Sequence, residues 1–167
     1  MPTLVPYVSL RTREIFGIET YSMNLDFISA PFHVRLHGFF GDVTDFDYAA
    51  TGVPLLNALW DEVAQAKLAH KGVNHWAYPA ADKVFVKIEL EAGVSGSRLE
   101  PYEIAFGRYA RHRHVGPYNL LGKAHEAMHG EIARQGLKMI RPAVEIYGHW
   151  QEDETKLKTD VLIPLEP

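Results

Sequence analysis

The segment GPYNLLGKAHEAMHGEIARQGL, residues 116–137, has an earlier counterpart in GVPLLNALWDEVAQAKLAHKGV, residues 52–73. Identical residues recur at one constant offset, in the pairs Gly52–Gly116, Leu56–Leu120, Glu62–Glu126, Ala69–Ala133 and Gly72–Gly136. Each segment opens with glycine and a nearby proline, which suits the start of a helix. Each closes with a glycine suited to the left-handed position after a helix. We therefore predict one helix in each segment and an internal repeat.

Strand patterns flank both predicted helices. The predicted strands are residues 13–23, 74–78 and 84–90 in the first half, and 102–115, 144–150 and 159–165 in the second. In VFVKIEL, apolar residues occupy every second position, which is typical of a half-buried strand. The order β-α-β-β thus occurs twice, in an α+β fold.

These elements divide one domain, residues 1–167, into two modules. Module 1 covers about residues 13–91 and module 2 about residues 101–166, joined by a turn-rich linker at about residues 92–100. Module 1 also contains an aromatic-rich stretch at 24–51. We interpret this stretch as an insertion that packs over the sheet or over one end of it.

The composition excludes several classes of protein. The 167 residues are 47% hydrophobic and 23% charged, which allows a sizeable core and argues against global disorder. The formal net charge of −4 disfavours direct binding of nucleic acid, and the absence of cysteine excludes disulfides and thiolate metal sites. We see no signal peptide and no apolar run long enough to span a membrane, so we expect a cytoplasmic protein.

The strings RHVGPYNLLGKA, PAVEIYGHW and KTDVLIPL, in that order and spacing, resemble the GyrI-like small-molecule-binding domains. These domains also form the effector-binding part of multidrug-responsive transcription regulators. The resemblance is strongest over residues 102–165, and the stretch 24–51 departs from it. It implies two βαββ modules related by a pseudo-twofold axis, one antiparallel sheet with helices on one face, and a central ligand cleft. It also implies a small-molecule ligand and allows a protein partner, such as a regulator or gyrase, which no residue here specifies.

Glu145 is the strongest candidate for a functional side chain. It lies in the middle of the apolar strand VEIYGHW, where a carboxylate is costly unless it is paired, hydrated or bound to a ligand. The residues alone leave open an edge-strand glutamate that faces water, or one tied to Arg108, Arg111 or Arg113. The resemblance implies instead that Glu145 is the central acid of the ligand cleft.

Aromatic residues near this acid could form the walls of a cleft for flat or cationic molecules. Tyr147 shares the strand face of Glu145, and Trp76 and Tyr78 share one face of the strand that corresponds to it in module 1. Trp60, on the first helix, suits either core packing or a cleft wall. Tyr118, at the start of the second helix, is equally compatible with a structural role. We predict a binding set of Glu145, Tyr147, Trp60, Trp76, Tyr78 and Tyr118.

The sequence also contains His125-Glu126-Ala-Met-His129, the HExxH spacing of zinc peptidases. The equivalent positions in module 1 are Asp61 and Gln65, and no third ligand follows at the metzincin spacing, so the repeat does not require a metal. We interpret His125 and His129 as half-exposed residues on a helix edge. His112 and His114 share one strand face, where ordinary packing is the simpler interpretation, and Glu89 suits a solvated face better than a cleft. We therefore expect no metal and no cofactor.

Two functions remain open, and a zinc protein that uses the HExxH at residues 125–129 is a third and less favoured interpretation. One is a stand-alone protein that binds amphipathic, aromatic or cationic small molecules. The alternative is a hydrolase of strained or electrophilic toxic compounds, like the cyclopropane-opening members of the family, with Glu145 and Tyr147 as the catalytic groups.

Overall fold

The computed structural model describes the backbone of residues 3–4 and 8–10, and residues 23–91 and 96–167 in full. Two helices, α1 (Tyr48–Gln65) and α2 (Leu121–Arg134), accompany the strands, and 3₁₀ turns occur at Tyr118–Leu120 and Glu154–Lys156. The strands are β1 (Thr3–Leu4), β2 (Val8–Leu10), β3 (Met23–Ser29), β4 (Phe32–Asp42), β5 (His70–Ala80), β6 (Lys83–Leu90), β7 (Glu100–Phe106), β8 (Tyr109–Val115), β9 (Ala143–Tyr147) and β10 (Lys158–Pro164). Neither helix in these ranges is long and apolar enough to cross a membrane.

Eight longer strands and the short β1 and β2 form one antiparallel sheet. Its order is β1-β3-β8-β10-β9-β5-β6-β4-β7, with β2 paired to β3. The two modules, β4-α1-β5-β6 and β8-α2-β9-β10, run outward from the centre in opposite orders and meet where β9 pairs with β5. This reversal is the predicted pseudo-twofold arrangement, and the α+β fold is confirmed.

The strand that flanks each module in the sheet is the one that comes just before the other module in the chain. Strand β3 leads into β4 but pairs with β8, and β7 leads into β8 but pairs with β4. Only two residues separate β3 from β4, and likewise β7 from β8. Each of these two-residue links joins a strand in one half of the sheet to a strand in the other half. The two ends of the sheet therefore lie close together, and the sheet is curved.

This exchange corrects two sequence predictions. The stretch 24–51 is not an insertion over the sheet, because it supplies most of β3, all of β4 and the start of α1. The predicted strand at 102–115 is two strands, β7 and β8, which pair with different partners. The strand predicted at 13–23 lies outside the described residues except for Met23.

The boundaries of α1 differ from the predicted ones, whereas the predicted glycine at the end of α2 is confirmed. Helix α1 begins before Gly52, because the side chain of Asp47 caps it by accepting a hydrogen bond from the amide of Ala50 at 3.0 Å. Gly136 follows α2 with φ of +68°, as predicted for a left-handed position. Gly72 also has positive φ, of +76°, but it lies at an irregularity in the pairing of β5.

Both helices cover the same face of the sheet. Leu59 and Val63 of α1 pack on Val84, Val86 and Ile88 of β6. Helix α2 packs equivalently on β8 and β3, where Met128 and Ile132 join a cluster that also includes apolar residues of β10. The opposite face is also buried, around Leu36, Phe85, Ile104, Val144 and Leu162. Strand β6 is therefore buried on both faces and not on one, because the curved sheet encloses its second face.

Candidate ligand-binding site

A cleft of about 1020 Å³ lies between α1 and α2, over the central strands β5 and β9. All six residues of the predicted binding set line it. Further aromatic and polar side chains that sequence reasoning did not assign to a cleft also line it, namely Tyr48, Asn74, His125, His129, Arg141, His149 and Trp150.

Glu145 lies at the floor of this cleft and is only 3% exposed. Strand β9, which carries it, is central, because β5 and β10 pair with its two edges. The open possibility of an edge-strand glutamate that faces water is therefore wrong. Of the arginines considered as partners, Arg111 pairs with Asp26 and Arg113 with Asp160.

Three side chains donate hydrogen bonds to the Glu145 carboxylate. The hydroxyls of Tyr78 and Tyr147 both donate to Oε2, at 2.7 Å and 2.5 Å. Nε2 of His125 lies 2.7 Å from Oε1. These donors come from β5, β9 and α2, so both modules hold the acid. Charge-assisted hydrogen bonds of this kind are what make a buried carboxylate tolerable.

The two tyrosines act as fixed donors. Burial, reinforced by the charge of Glu145, raises the pKa of the Tyr78 hydroxyl well above its ordinary value. The same two causes, in the same order, raise the pKa of the Tyr147 hydroxyl. Both phenols therefore keep their protons at neutral pH and donate to the carboxylate.

Aromatic rings form the walls around the acid. The Trp76 ring lies 5.8 Å from that of Tyr147, and Tyr118 approaches Tyr147 edge-on at 5.3 Å. The ring of Trp76 lies against α1 at Gly52, where an added Cβ would come within 2.3 Å of it. Trp60 packs against the core of module 1 and also lines the cleft, so both of its predicted roles apply.

Basic side chains form part of the wall contributed by α2 and the segment that follows it. The ring of His129 lies 6.1 Å from that of His125, and Nη1 of Arg141 donates to the Tyr78 carbonyl at 3.2 Å. Burial, then the nearby His125 and Arg141, lowers the pKa of His129. The sequence signal for this wall was the position of both histidines on the flank of the apolar face of the helix.

The remaining candidates lie elsewhere. His112 is bonded through Nδ1 to the Asn24 carbonyl at 2.9 Å, and His114 through Nε2 to the Pro117 carbonyl at 3.0 Å. Glu89 accepts a bond from Lys71 at 2.8 Å and does not line the cleft. Within residues 23–91 and 96–167, no three metal-type side chains cluster together.

A sequence profile of the GyrI-like small molecule binding domain matches residues 79–166. The chain belongs to this family. The match covers all of module 2, the second hairpin strand of module 1 and the end of β5, including Glu145 and Tyr147 of the cleft. This GyrI-like protein is thus a small-molecule-binding domain.

Solved structures share the GyrI-like fold at low sequence identity. The EcmrR C-terminal domain superposes with a TM-score of 0.68 at 18% identity, covering 87% of this chain and 98% of that one. A hydrolase from Listeria innocua gives 0.54 at 15% identity, covering 85% and 91%. SAV2435, bound to tetraphenylphosphonium, gives 0.54 at 13% identity, covering 87% and 94%. Comparison with curated protein sequences finds no match.

Proposed function

We propose that this GyrI-like domain binds an amphipathic small molecule, aromatic or cationic, with Glu145 as its charged contact. Trp60, Trp76, Tyr78, Tyr118 and Tyr147 form the walls. The observation that carries the proposal is a carboxylate, 3% exposed, at the floor of an aromatic cleft that both modules build. Because the modules share this cleft, we propose that residues 1–167 act as one binding unit.

The physical chemistry of the cleft supports such a ligand. A charge held out of water acts through a lower effective dielectric constant, so its attraction for a cation is stronger than at a protein surface. The faces of tryptophan and tyrosine attract cations as well. The volume of about 1020 Å³ suits a ligand of drug size or larger. The relative SAV2435 is bound to a lipophilic cation, tetraphenylphosphonium, which makes that ion a reasonable first probe.

The test compares a cation with a neutral molecule of related shape. Binding of tetraphenylphosphonium and of neutral triphenylphosphine oxide would be measured by isothermal titration calorimetry for wild type, Glu145→Gln and Glu89→Gln. We expect Glu145→Gln to weaken cation binding roughly tenfold or more, while binding of the oxide changes little. Glu89→Gln removes a carboxylate outside the cleft and should match wild type. Equal losses for both probes in Glu145→Gln would contradict a charge-specific role.

The second candidate function is hydrolysis of a strained or electrophilic compound in the same cleft. The observation that favours it is the set of proton-carrying groups, Tyr78, Tyr147 and His125, all within hydrogen-bonding distance of Glu145. In this proposal Glu145 orients water or moves a proton, and Tyr147 stabilises the charge that develops on the substrate. An enzyme would convert an electrophilic probe over many turnovers, and Glu145→Gln would abolish conversion yet still bind the probe. A pure binder would return it unchanged.

The proposed partners follow from the cleft and from the net charge of the chain. We propose a small-molecule ligand as the direct partner and no direct contact with nucleic acid, which the net charge of −4 supports. A protein partner that reads the bound state, such as a regulator or gyrase, stays a prediction.

A further inference from the structure

The acceptor sites of Glu145 are largely occupied before any ligand arrives. Oε2 accepts from two tyrosine hydroxyls, and Oε1 accepts from Nε2 of His125. A carboxylate offers about four acceptor positions, so three donors leave little unused capacity. The side chain of Glu145 is 4% exposed, and that of His125 is 20% exposed. The imidazole is therefore the more exposed member of the pair, and both line the cleft.

His125 differs from the two tyrosines in one respect. A tyrosine hydroxyl can only be neutral or negative, whereas an imidazole can carry a positive charge, and histidine is the side chain that ordinarily changes charge between pH 5 and 8. Among the three donors, His125 alone can act as a cation toward Glu145. Its second ring nitrogen makes no hydrogen bond to residues 23–91 or 96–167, so that side of the ring can take up a proton.

The other groups around His125 provide no second acid. From β9 it faces Glu145, and from β5 the ring of Tyr78 at 6.0 Å. On its own helix it faces His129, with Arg141 beyond. Glu145 is the one carboxylate among the described residues that line the cleft. Any positive charge on His125 is therefore set against this single negative charge.

We propose that His125 determines which charge class of ligand the cleft accepts, by acting as a built-in counter-cation that competes with cationic ligands for Glu145. This inference rests on the proposed role of Glu145. When His125 is neutral, the carboxylate attracts a cationic ligand. When His125 is charged, the pair is neutral, so the cleft admits uncharged aromatic ligands as before and rejects cations. His125 is thus a positioning and specificity residue, and its place in an HExxH spacing reflects a contact with a carboxylate.

The experiment measures the affinity ratio between two probes of related shape. Tetraphenylphosphonium and triphenylphosphine oxide would be titrated into wild type, His125→Gln and His125→Asn at pH 6. Glutamine and asparagine keep an amide donor for the carboxylate but cannot become cations. His33→Gln is the matched control, because His33 is exposed and pairs with Glu103 away from the cleft.

We expect either His125 variant to bind the cation roughly tenfold tighter than wild type, because the imidazole that competes with the cation for Glu145 is gone, while binding of the oxide stays about the same. A merely structural role would shift both probes together. Thermal unfolding of each variant, compared with that of wild type, would verify that the variants are folded.

The possible failures are distinguishable. If both probes bind and the affinity ratio of cation to oxide in the variants equals that in wild type, His125 does not set the charge class and this inference is overturned. If the variants bind the cation more weakly than wild type at pH 6, the imidazole assists the cation, and the inference is again overturned. If neither probe binds wild type, the proposed cleft function fails first, and the inference fails with it.

Discussion

Replacing Lys87 by methionine should stabilise the protein. Lys87 lies in β6 and is 0% exposed, on the face of the sheet that carries no helix. Its Nζ has no hydrogen-bond partner among the described residues, and it lies 5.2 Å from the ring centroid of Phe85 and 4.9 Å from that of Tyr102. Burial lowers the pKa of this amine from 10.5 to about 6. The folded protein thus holds Lys87 neutral at pH 7.5, whereas the unfolded chain holds it charged.

The size of the effect follows from linkage between protonation and folding. Between pH 6 and 10.5 the unfolded chain binds one proton more than the folded protein at this site, so stability falls as the pH falls. Each pH unit is worth about 1.4 kcal/mol, and pH 7.5 lies three units below 10.5. The penalty at pH 7.5 is therefore about 4 kcal/mol, and below pH 6 it grows no further. Methionine keeps an unbranched stem without the amine, so Lys87→Met should recover about 2–4 kcal/mol.

Urea unfolding followed by tryptophan fluorescence at pH 7, 8 and 9 would measure this effect. Wild type should gain stability relative to Lys87→Met by about 1.4 kcal/mol per pH unit, so the two curves converge toward pH 10. Lys71→Met removes a lysine that is 53% exposed and should stay within about 0.5 kcal/mol of wild type. A Lys87→Met protein less stable than wild type, or a constant difference across pH, would refute the reasoning.

Two further predictions concern other buried contacts. Gly52→Ala puts a Cβ within 2.3 Å of the Trp76 ring, so we expect thermal unfolding to show a loss of about 1–3 kcal/mol in stability. The control Gly130→Ala adds its Cβ in open space on α2 and should gain roughly 0.5–1 kcal/mol. Equal changes in stability for the two variants would exclude the clash. Burial lowers the pKa of His75 from 6.5 to about 4, so the unfolded chain protonates first on acidification and about 3 kcal/mol of stability is lost from pH 6.5 to 4. If stability is measured against pH, His75→Gln should flatten the curve between pH 6.5 and pH 4. A curve unchanged from that of wild type would contradict the view that His75 causes this loss of stability.

The accuracy of the sequence predictions depended on how local each signal was. Alternation in VFVKIEL located β6 correctly, but it could not reveal that Lys87 is buried, because the second face of β6 is covered by distant strands. The stretch 24–51 was read as an insertion because its strands pair with β7 and β8, whose positions local patterns do not encode. His125 was placed correctly on a helix flank, yet its contact with the acid could not be read from the helix itself.

By itself, the sequence determined the helix pair, the strands that follow each helix and the unusual acid in an apolar strand, because these depend on periodicities within a few residues. The tertiary structure alone decided what surrounds that acid. Tyr78 and His125 reach Glu145 from 67 and 20 residues away along the chain. Tyr78 meets it because the two modules join edge to edge at β5 and β9, whereas His125 meets it because α2 packs over the sheet within module 2, and such long-range contacts are set by the packing of the whole sheet.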